Sequence, residues 1–335
     1  MKKVLIGLSG GVDSSVSALL LKNQGYEVIG VTLILHNSAE STVEDARKIA
    51  EQLDIEFHAL DLREEFKKHV IKNFMESYKN GRTPNPCVQC NKYLKFGKLV
   101  EFADKLGCDL ISTGHYARVR DGKLVKSDAN SKDQTYFLYG INKNVLSRLI
   151  FPLEHFENKD QIRKIAAENN LFVATKKDSQ EICFIPNDDY SKYLEENLDT
   201  LPDKGDFILK DGTVIGKHKG IIYYTVGQRK GLGISYKTPL YVIEIKNNNI
   251  ILGDEEDLYK TSLTASYVNL LVDKLPNKVE VKVRYKSIFY KAKVNMTGED
   301  TCEVIFDEPV KSITPGQSVV FYEDDICLGG GIIDK

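Results

Sequence analysis

The chain lacks tryptophan, lacks any apolar run near the ~20 residues of a membrane helix, and lacks a strong net charge. Its 46 Lys and Arg nearly balance 48 Asp and Glu across 335 residues, leaving a net charge of −2. The missing tryptophan carries no information. The apolar runs, VLIGL and VIGVTLIL among them, are strand-length and exclude a membrane-spanning helix. The opening MKKVLIGLSGG imitates a signal peptide only briefly, because glycines and Asp13 follow at once. These features lead us to expect a soluble, cytoplasmic protein with no membrane partner. Its length suggests two or three domains.

Two absences narrow the chemistry. There is no second CxxC beside Cys87-Val-Gln-Cys90, so a four-ligand structural zinc site is not expected. Six cysteines with one such pair do not form a secreted disulfide framework. Cys108, Cys302 and Cys327 lie in apolar or strand-like runs and read as buried small side chains. There is also no GxxxxGK[ST], which excludes a Walker phosphate loop. The near-neutral total argues mildly against a nucleic-acid partner, but the distribution argues back. Residues 63–98 carry nine Lys/Arg against three acids, 204–238 seven against two, and 281–293 five with none. Clustered positive charge of this kind suits a phosphate backbone.

The first half alternates strand and helix patterns: KVLIGL, VDSSVSALLLKNQ, EVIGVTLIL, STVEDARKIAEQL, IEFHALDL, then residues 63–79, a loop holding the paired cysteines, the helix NKYLKFGKLVEFADKL and the strand CDLIST. Ser41 and Glu44 read as a capping box. The order predicts a parallel sheet with helices on both faces, and ligands of such sheets sit at the carboxyl ends of the strands. Residues 133–170 read as mostly helical. From about residue 204 the pattern alternates, with KDG and KNNN as hairpin turns and IIYYTV as a further strand. A small β-rich middle domain and a C-terminal β-barrel are expected, with the acidic run Asp254–Asp257 marking a boundary.

LIGLSGGVDSSV runs from strand through a glycine turn into a helix. Gly10 and Gly11 permit a tight turn and close approach of a ligand, and the next helix offers unpaired N–H groups and its positive dipole end. Ser9, Ser14 and Ser15 add hydroxyls. Asp13 suits a Mg²⁺ partner or a helix-start residue. SGGxDS in this position is the pattern of PP-loop ATP pyrophosphatases. The cysteines need activation, since free Cys has a pKa near ~8.5; Arg82, Lys92, Lys95 and the helix near Asn91 are the nearby sources. Cys183, in TKKDSQEICFI, also has lysines beside it.

SGGVDSSV, GRTPNPxxxCNxxxKF, STGHYARV, KDQTYFL, KKDSQEICFI, TVGQRKGLGI and TPGQSVVFY occur together and in order. Across essentially the whole chain this sequence resembles the tRNA-specific 2-thiouridylases. The resemblance implies a PP-loop domain of the adenine nucleotide alpha hydrolase-like class over residues 1–190, a central tRNA-contacting domain over 191–255 and a β-barrel over 256–335. It implies ATP with Mg²⁺, bound by Gly7, Leu8, Ser9, Gly10, Gly11, Val12, Asp13 and Ser14, with Leu33 and Gly114 near the nucleotide. It implies Cys90 and Cys183 as catalytic cysteines, the second carrying a persulfide that a cysteine desulfurase or relay protein supplies. It implies tRNA contacts at Asn85, His115, Lys132, Asp133, Gln134, Arg284, Tyr285 and Gln317. Lys217, Lys219, Arg229 and Lys230 suit the RNA backbone.

Two positions depart from the family pattern. Cys87 stands where Asp is usual, and Leu33 where Met is usual. Cys87, Cys90 and Cys183 together are three thiolates, a set able to hold a [4Fe-4S] cluster with one iron open; the other reading leaves Cys87 as an accessory thiol beside a persulfide enzyme. Competing functions are a PP-loop adenylating enzyme for a small molecule and a non-catalytic RNA-binding protein. The cysteine pair argues against the first and the intact SGGVDSS against the second. His36, His58, His69, His155 and His218 show no ligand spacing.

Overall fold

The computed structural model describes residues 1–128, 132–176 and 182–335. Four short apolar strands, β1 (Lys3–Gly7), β2 (Glu27–Ile34), β3 (Glu56–Asp61) and β4 (Leu110–Ser112), form most of a parallel sheet. A hairpin of β5 (Arg118–Arg120) and β6 (Lys123–Val125) follows, and β7 (Leu149–Ile150) completes the sheet in the order β3-β2-β1-β4-β7. Helix α1 (Val12–Asn23) and helix α2 (Glu40–Gln52) pack their apolar residues on it with Leu153 and Ile162. The other face belongs to a second core, built from Leu5, Val31, Phe96, Leu99 and Ile111. Both faces are therefore covered, as a parallel sheet requires.

The middle domain holds β8 (Gly205–Leu209), β9 (Val214–His218), β10 (Tyr241–Lys246) and β11 (Asn249–Gly253), in the order β10-β11-β8-β9. Asn247 and Asn248 both have positive φ, 49° and 58°, the conformation a two-residue hairpin turn demands. The expected strand IIYYTV is instead a 3₁₀ turn at Ile221–Tyr223, its isoleucines buried in two different cores. Asp254 and Asp257 form a capping box on a 3₁₀ turn. Beyond it come β12 (Tyr259–Leu270), β13 (Val279–Lys282), β14 (Tyr290–Met296), β15 (Cys302–Lys311), β16 (Ser318–Glu323) and β17 (Ile326–Ile333). Pairing of β12 with β17 closes these six strands into a barrel.

The barrel is not a separate bead. Strand β6 pairs with β17 at Val125 and Ile326, so the hairpin of the first half extends the barrel's sheet. Val320, Tyr322 and Cys327 share one core with Leu5 and Ile111. A clamp also joins the barrel to the segment that leads into the paired cysteines. Thr83 N donates to Pro315 O at 2.8 Å, Gln317 Nε2 to Thr83 O at 3.0 Å, and Arg82 Nη2 to Ile333 O at 2.7 Å. Gly316 has φ +92°, and a Cβ there would lie 2.8 Å from Thr83 N and O, so only glycine fits.

Two local expectations are corrected. The N-cap of α2 is Ala39 with no side-chain cap, because a 3₁₀ turn at Asn37–Ala39 runs straight into the helix and places Ser41 inside it. Between residues 133 and 158 the chain forms 3₁₀ turns and β7, and only Lys159–Glu168 is α-helix, capped by Asn158 and Gln161.

Candidate active site

The paired cysteines are not in a loop. Pro86 occupies the first helical turn, where its missing N–H costs nothing, and opens a helix over Pro86–Cys90 that continues to Lys105. Three-residue spacing on a helix puts Cys87 and Cys90 on one face. The continuation, Asn91–Lys98, is π-helical and kinked at Phe96 (φ −118°, ψ 16°), a distortion that often marks functional segments. Cys90 is buried at 8% exposure among Phe66, Phe74, Leu94, Phe184 and Ile185. Phe184 meets Phe66, Phe74 and Tyr193 edge-on at 5.5, 5.3 and 5.3 Å. This aromatic anchor fixes the preceding residue, Cys183, beside the cysteine helix. Residues 177–181 of KKDSQEICFI lie outside the described residues.

All three thiols are free and feel one another's charge. Burial pushes Cys90 up to about 12, with the Lys95 ammonium pulling the other way and Cys183 and Cys87 adding smaller upward pushes. Cys87 and Cys183 reach solvent but have protein on most sides; this partial desolvation raises both pKa values, again opposed by Lys95. Of the three basic side chains expected to help, only Lys95 does so for every thiol. Arg82 is committed to Asp334 at 2.8 Å, and Lys92 lies over the Tyr93 ring at 5.3 Å. Among the described residues no three His, Cys, Asp or Glu side chains converge closely enough to hold a metal ion. In this arrangement the three thiols do not fit a metal centre. The histidines have other employment: His218 bonds Asn248 O, His155 faces Asp128, and His58 faces Glu56.

The glycine turn stands at the carboxyl end of β1. Gly10 has φ +63°, and a Cβ there would lie 2.9 Å from Asp45 Cβ. Gly11 is the N-cap of α1 with no side-chain bond, leaving that helix start open to an anion. The serines are less available than expected: Ser14 Oγ receives Ser9 N at 3.1 Å, while Ser15 Oγ donates to Gly11 O at 2.9 Å from a fully buried position. Asp13 accepts from Tyr116 OH at 3.0 Å and pairs with Lys159 at 3.1 Å. Lys176 Nζ donates to Gly10 O at 2.8 Å and to Asp45 Oδ2 at 2.6 Å. Lys159 and Lys176 were invisible in the sequence because they follow the glycine turn by about 150 residues. The donors and the two lysines fit a nucleotide polyphosphate.

One tripeptide links the two halves of the site. Gly114 is pressed against the start of α1, where a Cβ would sit 2.9 Å from Ser14 N. Its neighbour His115 lies 5.9 Å from the Phe96 ring on the cysteine helix and accepts or donates to Thr113 Oγ1 at 2.7 Å. Burial, then Lys95, hold its pKa well below the usual imidazole range. At 9% exposure His115 is a wall of the site and, in this state, offers little surface to RNA. Leu33, near the end of β2, packs against both the core of Leu5, Val31 and Phe96 and the core that holds Cys90.

The remaining expected RNA contacts divide. Asp133 accepts from Ser127 N and Thr135 Oγ1, at 3.1 and 2.6 Å, and burial raises its carboxyl above the usual range. Gln134 exchanges bonds with Tyr116 through backbone and side chain. These two are engaged within the protein, while Lys132 lies over the Tyr116 ring at 5.7 Å. Gln317 belongs to the clamp, and Arg284 donates to Ser312 O. Tyr285 is half-buried against Phe137 at 4.6 Å. Arg229 and Lys230 are exposed, Lys217 pairs with Asp206, and Lys219 lies over Tyr223 at 3.8 Å. Asn85 precedes the cysteine helix and makes no capping bond.

Comparisons with known proteins cover the whole chain. Residues 2–187 match the family described as tRNA methyl transferase HUP domain, 191–254 the tRNA methyl transferase PRC-barrel domain, and 260–333 the aminomethyltransferase beta-barrel domain. A tRNA-specific 2-thiouridylase MnmA of Clostridioides difficile is 46% identical, covering 100% of this chain and 98% of that protein. One from Clostridium botulinum (strain Alaska E43) is 47% identical over 99% of this chain and 98% of its own. Among solved structures, an NMN synthetase from Francisella tularensis covers 52% of this chain and 66% of its own at 19% identity and a TM-score of 0.35, too slight a likeness to argue from.

Proposed function

This chain belongs to the tRNA-specific 2-thiouridylase family, and from its site we propose that it is a tRNA-uridine 2-sulfurtransferase, replacing the C2 oxygen of a tRNA uridine, at the wobble position, by sulfur at the expense of ATP. The observation that carries this reading is the 113–115 tripeptide, in which Gly114 presses on the start of α1, the candidate phosphate cradle, and His115 faces Phe96 on the helix that carries Cys87 and Cys90. Methyl transfer, named in the family descriptions, has no use for that pairing.

The uracil O2 is a poor leaving group. In the proposed sequence it attacks the α-phosphorus of ATP, and pyrophosphate leaves. The open start of α1 would hold the polyphosphate, brought with its Mg²⁺, and Lys159 and Lys176 lie beside it. A persulfide on Cys183, charged by a separate sulfur donor, attacks C2, and AMP leaves with the original oxygen. Cys90 then attacks the Cys183 sulfur, breaking the S–S bond; its proton goes to solvent, thiouridine is released, and a Cys90–Cys183 disulfide remains. A thiol reductant resets it. Cys183 suits the first role because it is exposed, and Cys90 the second because it is buried beside it.

The test is nucleoside mass spectrometry of tRNA incubated with the protein, ATP and a persulfide donor. Cys183→Ala and Cys90→Ala abolish 2-thiouridine, while Cys87→Ala retains it. If Cys87→Ala is inactive and anaerobically purified wild type carries about four irons per chain that the variant lacks, a three-cysteine [4Fe-4S] cluster replaces the persulfide route. Formation of 2-thiouridine in the Cys183 variant refutes the scheme.

A further inference from the structure

A cavity of about 170 Å³ lies on the far side of the cysteine helix, between residues 73–85 and the barrel. Asn85, Val88 and Gln89 line it, at the spacing of a helix face other than that of Cys87 and Cys90. Asn73 faces it from the neighbouring helix Lys72–Lys79. The side chains of Asn73, Asn85 and Gln89 are half-buried, and among the described residues none has a hydrogen-bond partner. Three uncommitted amides, each both donor and acceptor, face a space fit for one heterocyclic ring. Arg82 supplies a positive charge at its edge, fixed by Ile333 O and Asp334.

The rim carries a second, independent feature. Tyr267 sits in an irregularity of β12 between Ser266 and Asn269, with φ +52° and 67% of its surface exposed. A bulky aromatic residue in the left-handed region is costly by about 1–2 kcal/mol. Such an irregularity re-aims a side chain, and here it sets a large exposed ring at the mouth of the cavity. An aromatic face beside amide groups is how proteins hold a splayed, single-stranded base: stacking on the ring and hydrogen bonds to the base edge.

We infer that this cavity binds one unstacked base of the RNA substrate, next to the uridine being modified and distinct from it, with Tyr267 stacking on the base and Asn73, Asn85 and Gln89 reading its edge. The inference rests on RNA being the substrate. Because the thiols lie on another face of the helix, the base held here is not the one that receives sulfur, and the site would fix the register of the loop around the target.

The experiment uses the full chain and an anticodon stem-loop RNA carrying 2-aminopurine at each unpaired position in turn. One position changes fluorescence on binding the wild type, and Tyr267→Ala removes that change. In thiolation assays Tyr267→Ala raises the KM for RNA between about fivefold and a hundredfold, the range of one lost stack. The KM for ATP and the melting temperature stay at wild-type values, and Tyr267→Phe restores RNA binding. Gln89→Ala relaxes the preference for the base at that same position. Wild-type RNA affinity in Tyr267→Ala, an equal loss in Tyr267→Phe, or displacement of the fluorescent base by millimolar free AMP would each overturn the assignment. RNA binding is read directly, so a protein that binds RNA but forms no thiouridine sinks the proposed reaction and leaves the subsite standing.

Discussion

Replacing Lys95 by methionine keeps the length of the side chain and removes the one positive charge, among the described residues, that reaches Cys87, Cys90 and Cys183 alike. Cys90, pushed up to about 12 by burial, is almost wholly protonated at pH 7.5. Cys183, more exposed, is the thiol that can react first. A unit charge acting across several ångströms at an effective dielectric of about 20 is worth roughly 1–3 kcal/mol. Lys95→Met should therefore slow alkylation of Cys183 by iodoacetamide at pH 7.5 between about fivefold and a hundredfold, with Lys95→Arg near wild type. The assay is peptide mass spectrometry of timed, quenched samples, with Cys302 and Cys327 as buried internal controls. Raising the pH should narrow the difference, since both proteins approach full ionisation. Equal alkylation rates in wild type and Lys95→Met across pH 6.5–9 would refute the claim that Lys95 activates the cluster.

Two further outcomes follow from the same structure. Gly10→Ala meets both a left-handed φ and Asp45, so it should raise the KM for ATP at least tenfold and cost about 1–2 kcal/mol in thermal unfolding; an unchanged KM would show that the turn does not contact the nucleotide. Stability should fall in alkali. Cys90 and Tyr139, at about 12, and Cys302, at about 11, stay protonated when folded because they are buried. In the unfolded chain they ionise near ~8.5 and ~10, so above that range the folded state binds more protons and unfolding gains with pH. Their contribution is complete below about pH 8.5, and each buried cysteine withdraws about 2 kcal/mol by pH 10. A melting temperature that is flat between pH 7 and 10 would contradict this.

What the sequence made legible is local. The glycine turn, the parallel strands and the KDG and KNNN hairpins each depend on neighbouring residues, and the structure has them where those residues stand. Lys95 was also foreseen, because it follows the cysteine pair closely in the chain. The start of the cysteine helix was not: proline and asparagine before Cys87 read as a loop, yet proline suits a helix's first turn. Ser41 looked like a cap because a capping box is only a spacing, and a preceding 3₁₀ turn moved the helix start ahead of it. Long-range partners left no trace at all. Lys159 on Asp13, Lys176 on Gly10 and Thr83 on Pro315 join residues separated by well over a hundred positions. The shared sheet between β6 and β17 is of the same kind, and it ties the expected C-terminal barrel to the first domain.

In the proposed reaction ATP activates the very oxygen that sulfur replaces. This is tested most directly with a substrate RNA whose target uridine carries ¹⁸O at C2. The expected result is ¹⁸O in AMP, one label for each 2-thiouridine formed. Unlabelled AMP alongside 2-thiouridine would contradict it, because ATP would then be cleaved at some other step and the oxygen would leave by another route.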